Sequence, residues 1–496
     1  MIMSETLLAD LGTSLPLIVL SLGALVIMLL EVFVKGSWAR ETVTVGFLLV
    51  ALVALLRTTG DYSPGKFLFN GLVYADPLAL FFTALLIAGT ILAVLVGARR
   101  LEGEGVESHG EYLTLLILST VGAIIFASSA ELITMFLGLE TMSMALYCLC
   151  GAALGRRRSA ESAMKYFLLG SFSSAFLLYG ISLVYGLTGT TMIAGIAGLA
   201  EGISPTDQSI LFVALGLILV GLIFKIGAVP FHFWAPDVYE GAPTPIAAYM
   251  ACVIKASAVA AALRVLWGAF GGEILFWADA IWVIAVLTMV IGNLIALRQR
   301  GLKRMLAYSS IAHAGYLLVA FLAHGPELGG GAAILYYLIG YTCMTMGAFA
   351  IVLAVTGQTS GDPNGDDISR FHGLGYKRPV LALVMSLFML SLAGIPPGMA
   401  GLLGKVYIFT AAVKAQYLGL TIIGVLASAV SCYYYLRVIV AMYFVEAKEE
   451  GEARLPAAPL SGAMVGALGI CAFGVIYFGV FPSALYEFAL RICQTL

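Results

Sequence analysis

Four ionisable residues stand deep inside apolar runs where a lipid-facing chain would not carry them: Glu140, Lys225, Lys255 and Lys405. On insertion scales each costs roughly 2.5–3.5 kcal/mol at a helix centre. Together they would cost on the order of 10–14 kcal/mol if charged and unpaired, against a net stability of about 5–15 kcal/mol for a typical fold. Pairing, water or neutralisation must therefore accompany them. Burial works against the ammonium form of a lysine, and a nearby glutamate works in its favour. Shifting the glutamate, or admitting water, then switches the lysine between holding and releasing a proton. These groups suit a proton relay. They suit a sugar or lipid site poorly, because few aromatics or amides accompany them.

Helix breaks adjoin two of the lysines. Pro230 follows Lys225 in GLIFKIGAVPFHFWAPDVYEGAPTP (221–245), and Pro396 and Pro397 precede Lys405 in GIPPG (394–398). A proline in a membrane helix frees backbone groups that can hold water, which proton transfer needs. His232 and His313 are candidate bridges between acids and bases, since histidine titrates near neutral pH. Lys165 is a further candidate, although Arg156–Arg158 beside it points equally to snorkelling or a topology signal. Arg264 is expected to snorkel at the outer interface. Asp237 and Glu240 mark either a helix cap or a cytoplasmic entrance.

The elements that must position these residues follow from composition. The 496-residue chain is 61% hydrophobic and only 11% charged, with a mean hydropathy of +1.02. A soluble protein carries about a quarter charged residues, so this is an integral membrane protein. The net charge of -2 and the lack of a basic tract exclude a nucleic-acid partner. The first apolar run lacks a basic leader and a small-residue cleavage site, so it reads as a retained helix. Seven cysteines lie mostly in apolar runs, and the Cys148/Cys150 spacing fits neither zinc nor an iron–sulfur cluster, so no metal site is expected. No phosphate-cradling glycine loop is present.

With about 20 apolar residues per crossing, the fold is all-α with about 14 transmembrane helices: 14–34, 42–57, 76–98, 111–129, 131–154, 162–188, 209–234, 244–269, 274–297, 304–323, 330–356, 379–414, 416–445 and 458–489. Helices 7 and 12 are the broken ones. Glu140 lies about nine residues into helix 5, roughly 14 Å along it, and Lys255 about eleven into helix 8. Both are near the midplane, whereas the breaks leave the depths of Lys225 and Lys405 open. One set of alternate loops holds Lys35, Arg40, Arg99, Arg100, Arg156 to Arg158, Arg298 to Arg304, Arg370 to Arg378, Lys448 and Arg454. The other holds little beyond Arg57, Lys66 and Lys414. By the positive-inside rule both termini lie outside. The loop 58–75 is expected to form a small outer hairpin.

GAVP at 227–230 resembles GIPP at 394–397. MKYFLLGSFSSAFLLYG from Met164 resembles LKRMLAYSSIAHAGYLLVA from Leu302, aligning helix 6 with helix 10 or 11. The simplest reading is a single polytopic domain, 1–496. It would comprise N-terminal helices 1–3 (1–110), a five-helix repeat (111–269), a second, inverted repeat (270–445) and helix 14 (446–496). An odd repeat forces the second copy to insert upside down.

Five stretches then acquire a further meaning: GLETMSMALYCL (138–149), KYFLLGSF (165–172), KIGAVPFHFWAPDVYEGAPTP (225–245), KRMLAYSSIAHAGY (303–316) and LSLAGIPPGMAGLLGKVYIF (390–409). Across roughly 75–445 the chain resembles the antiporter-like membrane subunits of respiratory complex I. That resemblance implies two inverted five-helix bundles and a subunit that moves protons while partner subunits carry out the redox chemistry. The family's glutamate in helix 5 matches Glu140, and its lysines in helices 7, 8 and 12 match Lys225, Lys255 and Lys405. One sister subunit has glutamate at the helix 12 position, so Lys405 argues against that one. The resemblance implies no cofactor on this chain. NADH, FMN, iron–sulfur clusters and quinone would belong to partner subunits in a bacterial inner membrane, and the neighbours would be other membrane subunits and lipid. Subunits of cation/proton antiporters share the same core and remain the alternative. The route implied runs from the cytoplasm near helices 7–8 past Lys225 and Lys255 to Lys405, with Glu140 modulating Lys225 or coupling to a neighbour.

Overall fold

In lipid a backbone must satisfy its own polar groups, so apolar runs of membrane length become helices. The computed structural model describes residues 2–34, 36–200, 205–272, 274–356, 366–446 and 460–494. Lys35, Lys448, Arg454 and the first part of the polar loop 357–378 lie outside the described residues. Among the described residues, twelve helices are long and apolar enough to cross a membrane, from Leu15–Phe33 to Gly462–Val480. Two further expected crossings fall outside these twelve, one for its polar residues and one because it is broken as expected. Leu302–Phe321 has the length but opens on Lys303 and Arg304 and carries Ser309, Ser310 and His313. The stretch expected at 379–414 is divided into Pro379–Ala393 and Met399–Lys414.

Local chemistry sets the ends. Asp76 caps Pro77–Gly97 by accepting from the Ala79 N–H, Glu131 caps Leu132–Cys150 through the Thr134 N–H, and Ser461 caps Gly462–Val480 through the Met464 N–H. The expected span 209–234 ends early: Pro205–Ile226 stops at Gly227, and the chain resumes as Trp234–Gly241. The expected 458–489 helix is likewise two, Gly462–Val480 and Pro482–Cys493, because Pro482 cannot continue the first helix's hydrogen bonding. The loop 58–75 forms the expected hairpin, with Phe67–Leu68 paired antiparallel to Val73–Tyr74.

The same pairing of helices recurs in 111–269 and 270–445. The two most intimate helix pairs are His109–Ser128 with Leu132–Cys150, and Ile274–Ala296 with Leu302–Phe321. Small residues permit both. A methyl group at Gly122 would run into the Met142 backbone nitrogen, and one at Gly292 into that of Ala312. Arg157–Thr188 packs on both halves of the first break, as Gly330–Thr356 does on both halves of the second. Lys255–Leu263 leans on His109–Ser128, and Leu418–Phe444 on Ile274–Ala296.

This pattern aligns GAVP with GIPP. It does not align the other likeness: the Met164 stretch lies on the third helix of its set, and the Leu302 stretch on the second of its own.

Candidate functional site

The first break forms where Gly227 takes a left-handed backbone (φ +79°), which a side chain would resist. Its N–H donates to Ile223 O at 2.9 Å, and the Ala228 N–H donates to the same oxygen at 3.1 Å. The second break repeats this arrangement. Gly394 has φ +82°, and the Gly394 and Ile395 N–H groups both donate to Leu390 O at 2.9 Å. Both half-helices thus end in a glycine-terminated cap, and Pro230 or Pro396–Pro397 prevents continuation.

Lys225, Lys255 and Lys405 are at most 4% exposed, so none reaches water by snorkelling. Lys225, in the last turn of Pro205–Ile226, donates to the Tyr166 hydroxyl at 3.2 Å. Its ammonium also lies 4.8 Å from the Tyr166 ring centre and 5.7 Å from that of Tyr147, placements that favour a cation. Lys255 follows a π-helical turn, Met250–Ile254, which widens the helix just before it. It donates to both the carbonyl and the hydroxyl oxygen of Ser310. Lys405 donates to Leu392 O at 3.0 Å, Ala393 O at 2.9 Å and Ser428 Oγ at 2.8 Å. Its first two acceptors are carbonyls at the end of the preceding half-helix, where the backbone dipoles favour positive charge.

A polar chain joins Lys255 to Lys405. The Tyr341 hydroxyl donates to Ser310 Oγ at 2.9 Å, and the Tyr341 ring lies 5.2 Å from that of His313. His313 Nδ1 is bonded to the Tyr337 hydroxyl, and its Nε2 lies 2.9 Å from the Tyr435 hydroxyl, which also meets Ser309 Oγ. Tyr434, with its ring 4.4 Å from that of Tyr435, donates to Asn293 Oδ1 at 2.9 Å. Asn293 Nδ2 donates to the Tyr316 hydroxyl at 3.3 Å, and the Lys405 ammonium sits 5.1 Å from the Tyr316 ring centre. His313 therefore lies at the middle of the chain. His232 is buried in the first break with Nδ1 unpartnered and its ring against Phe233, and is not joined to the chain by these contacts.

Towards Lys225 the contacts are ring against ring. Trp234 stacks on Tyr166 at 4.7 Å and meets Tyr239 edge-on at 6.0 Å. Tyr239 in turn lies beside Ser310.

Glu140 occupies the middle of Leu132–Cys150, on a stripe with Ile133, Leu137 and Met144, all of which are exposed. It is half-buried, its Oε1 has no hydrogen-bond partner, and its charge acts on Lys225. It therefore faces the flank of the chain as well as the lysine.

Lys165 belongs elsewhere. With its side chain 42% exposed, it pairs with Glu161 at 2.7 Å and Asp237 at 2.9 Å. Arg304 joins Asp237 at 2.7 Å and Glu240 at 2.8 Å, and Arg158 reaches Glu240 at 3.2 Å. These charges line a cavity of about 210 Å³ beside Trp234–Gly241, the half-helix that follows the first break. Burial pushes the Asp237 carboxyl up, but hydrogen bonds from Lys165 and Arg304 outweigh it and hold the group below its ordinary value.

Arg264 does not snorkel. It is 3% exposed and forms a bidentate pair with Asp76, with Tyr74 4.1 Å from its guanidinium carbon. The helix-capping carboxylate supplies a partner 188 residues away in sequence, so the guanidinium need not reach water.

Tyr166, Asn293, Ser310, Tyr316, Tyr341, Ser428, Tyr434 and Tyr435 were not singled out as chemistry-bearing in the sequence. One signal was available: Ser309, His313 and Tyr316 share a face of one helix at spacings of four and three, and Tyr337 and Tyr341 share another.

This architecture has known counterparts. Residues 129–431 match the family model for NADH:quinone oxidoreductase/Mrp antiporter transmembrane proteins, and the chain belongs to this family of antiporter-like membrane subunits. Within the family it is 45% identical to NADH-quinone oxidoreductase subunit N of Trichlorobacter lovleyi, over 97% of this chain and 96% of that protein. It is 38% identical to subunit N of Mycobacterium tuberculosis, over 97% of each. Among solved structures it is similar to a chain of respiratory complex I from Thermus thermophilus, with 34% identity, TM-score 0.79 and coverage of 95% of this chain and 98% of that one. A chain of the Mrp complex from Dietzia sp. has TM-score 0.83 at 20% identity, covering 98% and 97%, a likeness of fold alone.

Proposed function

We propose that this chain is a proton-translocating membrane subunit of an NADH-quinone oxidoreductase. The observation that carries the reading is the polar chain from Lys255 through Ser310, Tyr341, His313, the Tyr434–Tyr435 pair, Asn293 and Tyr316 to Lys405. Each member can pass, accept or orient a proton, and the chain is shielded from lipid. The full-length likeness to subunits N supports the same activity.

The roles divide along this chain. Lys225 receives a proton from the side of the Asp237–Arg304 cluster, His313 bridges the middle, and Lys405 releases to the opposite side. Glu140, on the flank, biases Lys225 according to what stands beside it in the assembly. NADH, FMN, iron–sulfur clusters and quinone act in partner subunits. The chain sits in a bacterial inner membrane with both termini outside, and residues 111–269 and 270–445 form the two inverted repeats.

The test is Lys225→Ala in an assembled complex. Loss of proton translocation per electron is expected, and an unchanged ratio would overturn the proposal. Cation/proton exchange is the second reading, because the matching family model covers Mrp antiporter proteins as well as NADH:quinone oxidoreductase. Sodium-dependent exchange by the chain without redox partners would establish it.

A further inference from the structure

Thr244–Ala269 and Leu418–Phe444, which close the two repeats, each carry an arginine at a matching place. Lys255 and Arg264 stand nine residues apart, and so do Ser428, an acceptor of Lys405, and Arg437. On an inverted second repeat the two arginines stand toward opposite faces of the membrane. Their partners differ. Arg264 is neutralised by the Asp76 carboxylate. Arg437 donates to Leu297 O at 3.0 Å and to Gln299 O, carbonyls just past the end of Ile274–Ala296. Among the described residues it has no carboxylate partner, and its Nε is buried without a hydrogen-bond partner.

Arg437 adjoins the polar chain. One rung between Leu418–Phe444 and Ile274–Ala296 is the Tyr434 hydroxyl donating to Asn293 at 2.9 Å. The next is Arg437 on Leu297, three residues further along one helix and four along the other. Beyond that rung lie the exposed Arg298 and Arg300, in the loop that leads to Arg304. Arg437 therefore stands between the His313–Tyr435 contact and the face of the membrane that holds the Asp237–Arg304 cluster.

An arginine carries a fixed positive charge. In surroundings of low dielectric that charge repels an approaching proton, as an arginine does in water-selective pores. The two carbonyls favour a cation at a helix end, but they are dipoles and leave its net charge in place. The first half has no such bare cation at this face, where Arg158, Lys165 and Arg304 are all paired with carboxylates.

We propose that Arg437 is an electrostatic stopper. It closes the second half of the chain to the face at which the first half fills, so a proton that reaches His313 leaves by way of Lys405. It acts by position and charge, not by carrying the proton. The proposal rests on the proton-translocating reading above.

The experiment uses the intact complex in liposomes, idle without NADH. A potassium diffusion potential drives protons, and an entrapped pH dye records the leak. Arg437→Gln should leak several-fold faster than wild type, and Arg437→Lys, which keeps the charge but loses the guanidinium fork, should stay close to wild type. Adding His313→Leu to Arg437→Gln should restore tightness. A tight Arg437→Gln would overturn the proposal. So would equal leak in the Lys and Gln variants, which marks a packing role, or a leak that survives His313→Leu. If Arg437→Gln fails to assemble, Arg437→His decides: with equal pH on both sides, its leak should rise above about pH 6.5 as the imidazole loses its charge, and a leak independent of pH would overturn the stopper. Failure of the underlying reading shows separately, as an unchanged proton/electron ratio in Lys225→Ala.

Discussion

The two helix breaks share a backbone but hold their lysines differently. In both, a half-helix ends on a left-handed glycine with the same pair of hydrogen bonds, and proline follows. Lys225 belongs to the half-helix that arrives at its break, two residues ahead of Gly227. Lys405 belongs to the half-helix that leaves, and reaches back to the carbonyls of the one that arrived. Lys405 thus has three oxygen acceptors, matching the three N–H groups of an ammonium. Lys225 has one hydroxyl and the faces of aromatic rings. One backbone device serves as an anchor in one half and as a lightly held site in the other.

Substitutions at the two lysines should separate most widely. Lys405→Ala leaves two carbonyls and Ser428 without their donor. It should abolish proton translocation and also destabilise the subunit by about 1–3 kcal/mol, read as a lower melting temperature of the complex alongside the proton/electron ratio. Lys225→Ala should abolish translocation with little change in melting. A larger stability loss at Lys225 than at Lys405 would break the comparison. Next in size, His313→Leu or Tyr435→Phe interrupts the chain between the halves and should lower proton flux several-fold while leaving electron transfer by an uncoupled complex intact. A normal flux in both variants would remove His313 from the path.

The smallest effect belongs to the rim beside Trp234–Gly241. Asp237 is held below its ordinary value, so the stabilisation from its pairing is fully present above about pH 4. It is lost as the pH falls through the lower folded value. Asp237→Asn should cost no more than about 1 kcal/mol, because the pair is solvent-screened, and should flatten the acid limb of the melting profile. An unchanged acid limb would mean that the cluster holds nothing in place.

Much of this arrangement was legible in the residues. Charges inside apolar runs announced Glu140, Lys225, Lys255 and Lys405, and glycine with proline announced the breaks. His313 stood out as a titratable group in a helix. Its neighbours did not, because Tyr316, Tyr337, Tyr341, Tyr434 and Tyr435 have the composition and spacing of ordinary core aromatics. Only packing brings their hydroxyls together from three helices. Arg264 misled for a related reason: its partner Asp76 lies in another helix's cap, and long-range pairing leaves no local mark. The split of 379–414 was visible in GIPPG. Pro230 marked the first break, but not its start at Ile226, since apolar residues run on through Val229 and Phe231.

The ring-stacked stretch between Tyr166 and Tyr239 has a consequence for the membrane as a capacitor. A proton falling through a potential of 100 mV releases about 2.3 kcal/mol. An unbroken conductor from face to face would discharge the gradient whenever the complex stood idle. Trp234, stacked on Tyr166 and edge-on to Tyr239, puts an indole where a conductor would need a hydroxyl or water. On the proposed path it would serve as insulation at rest, and a smaller residue there should show itself first as leak.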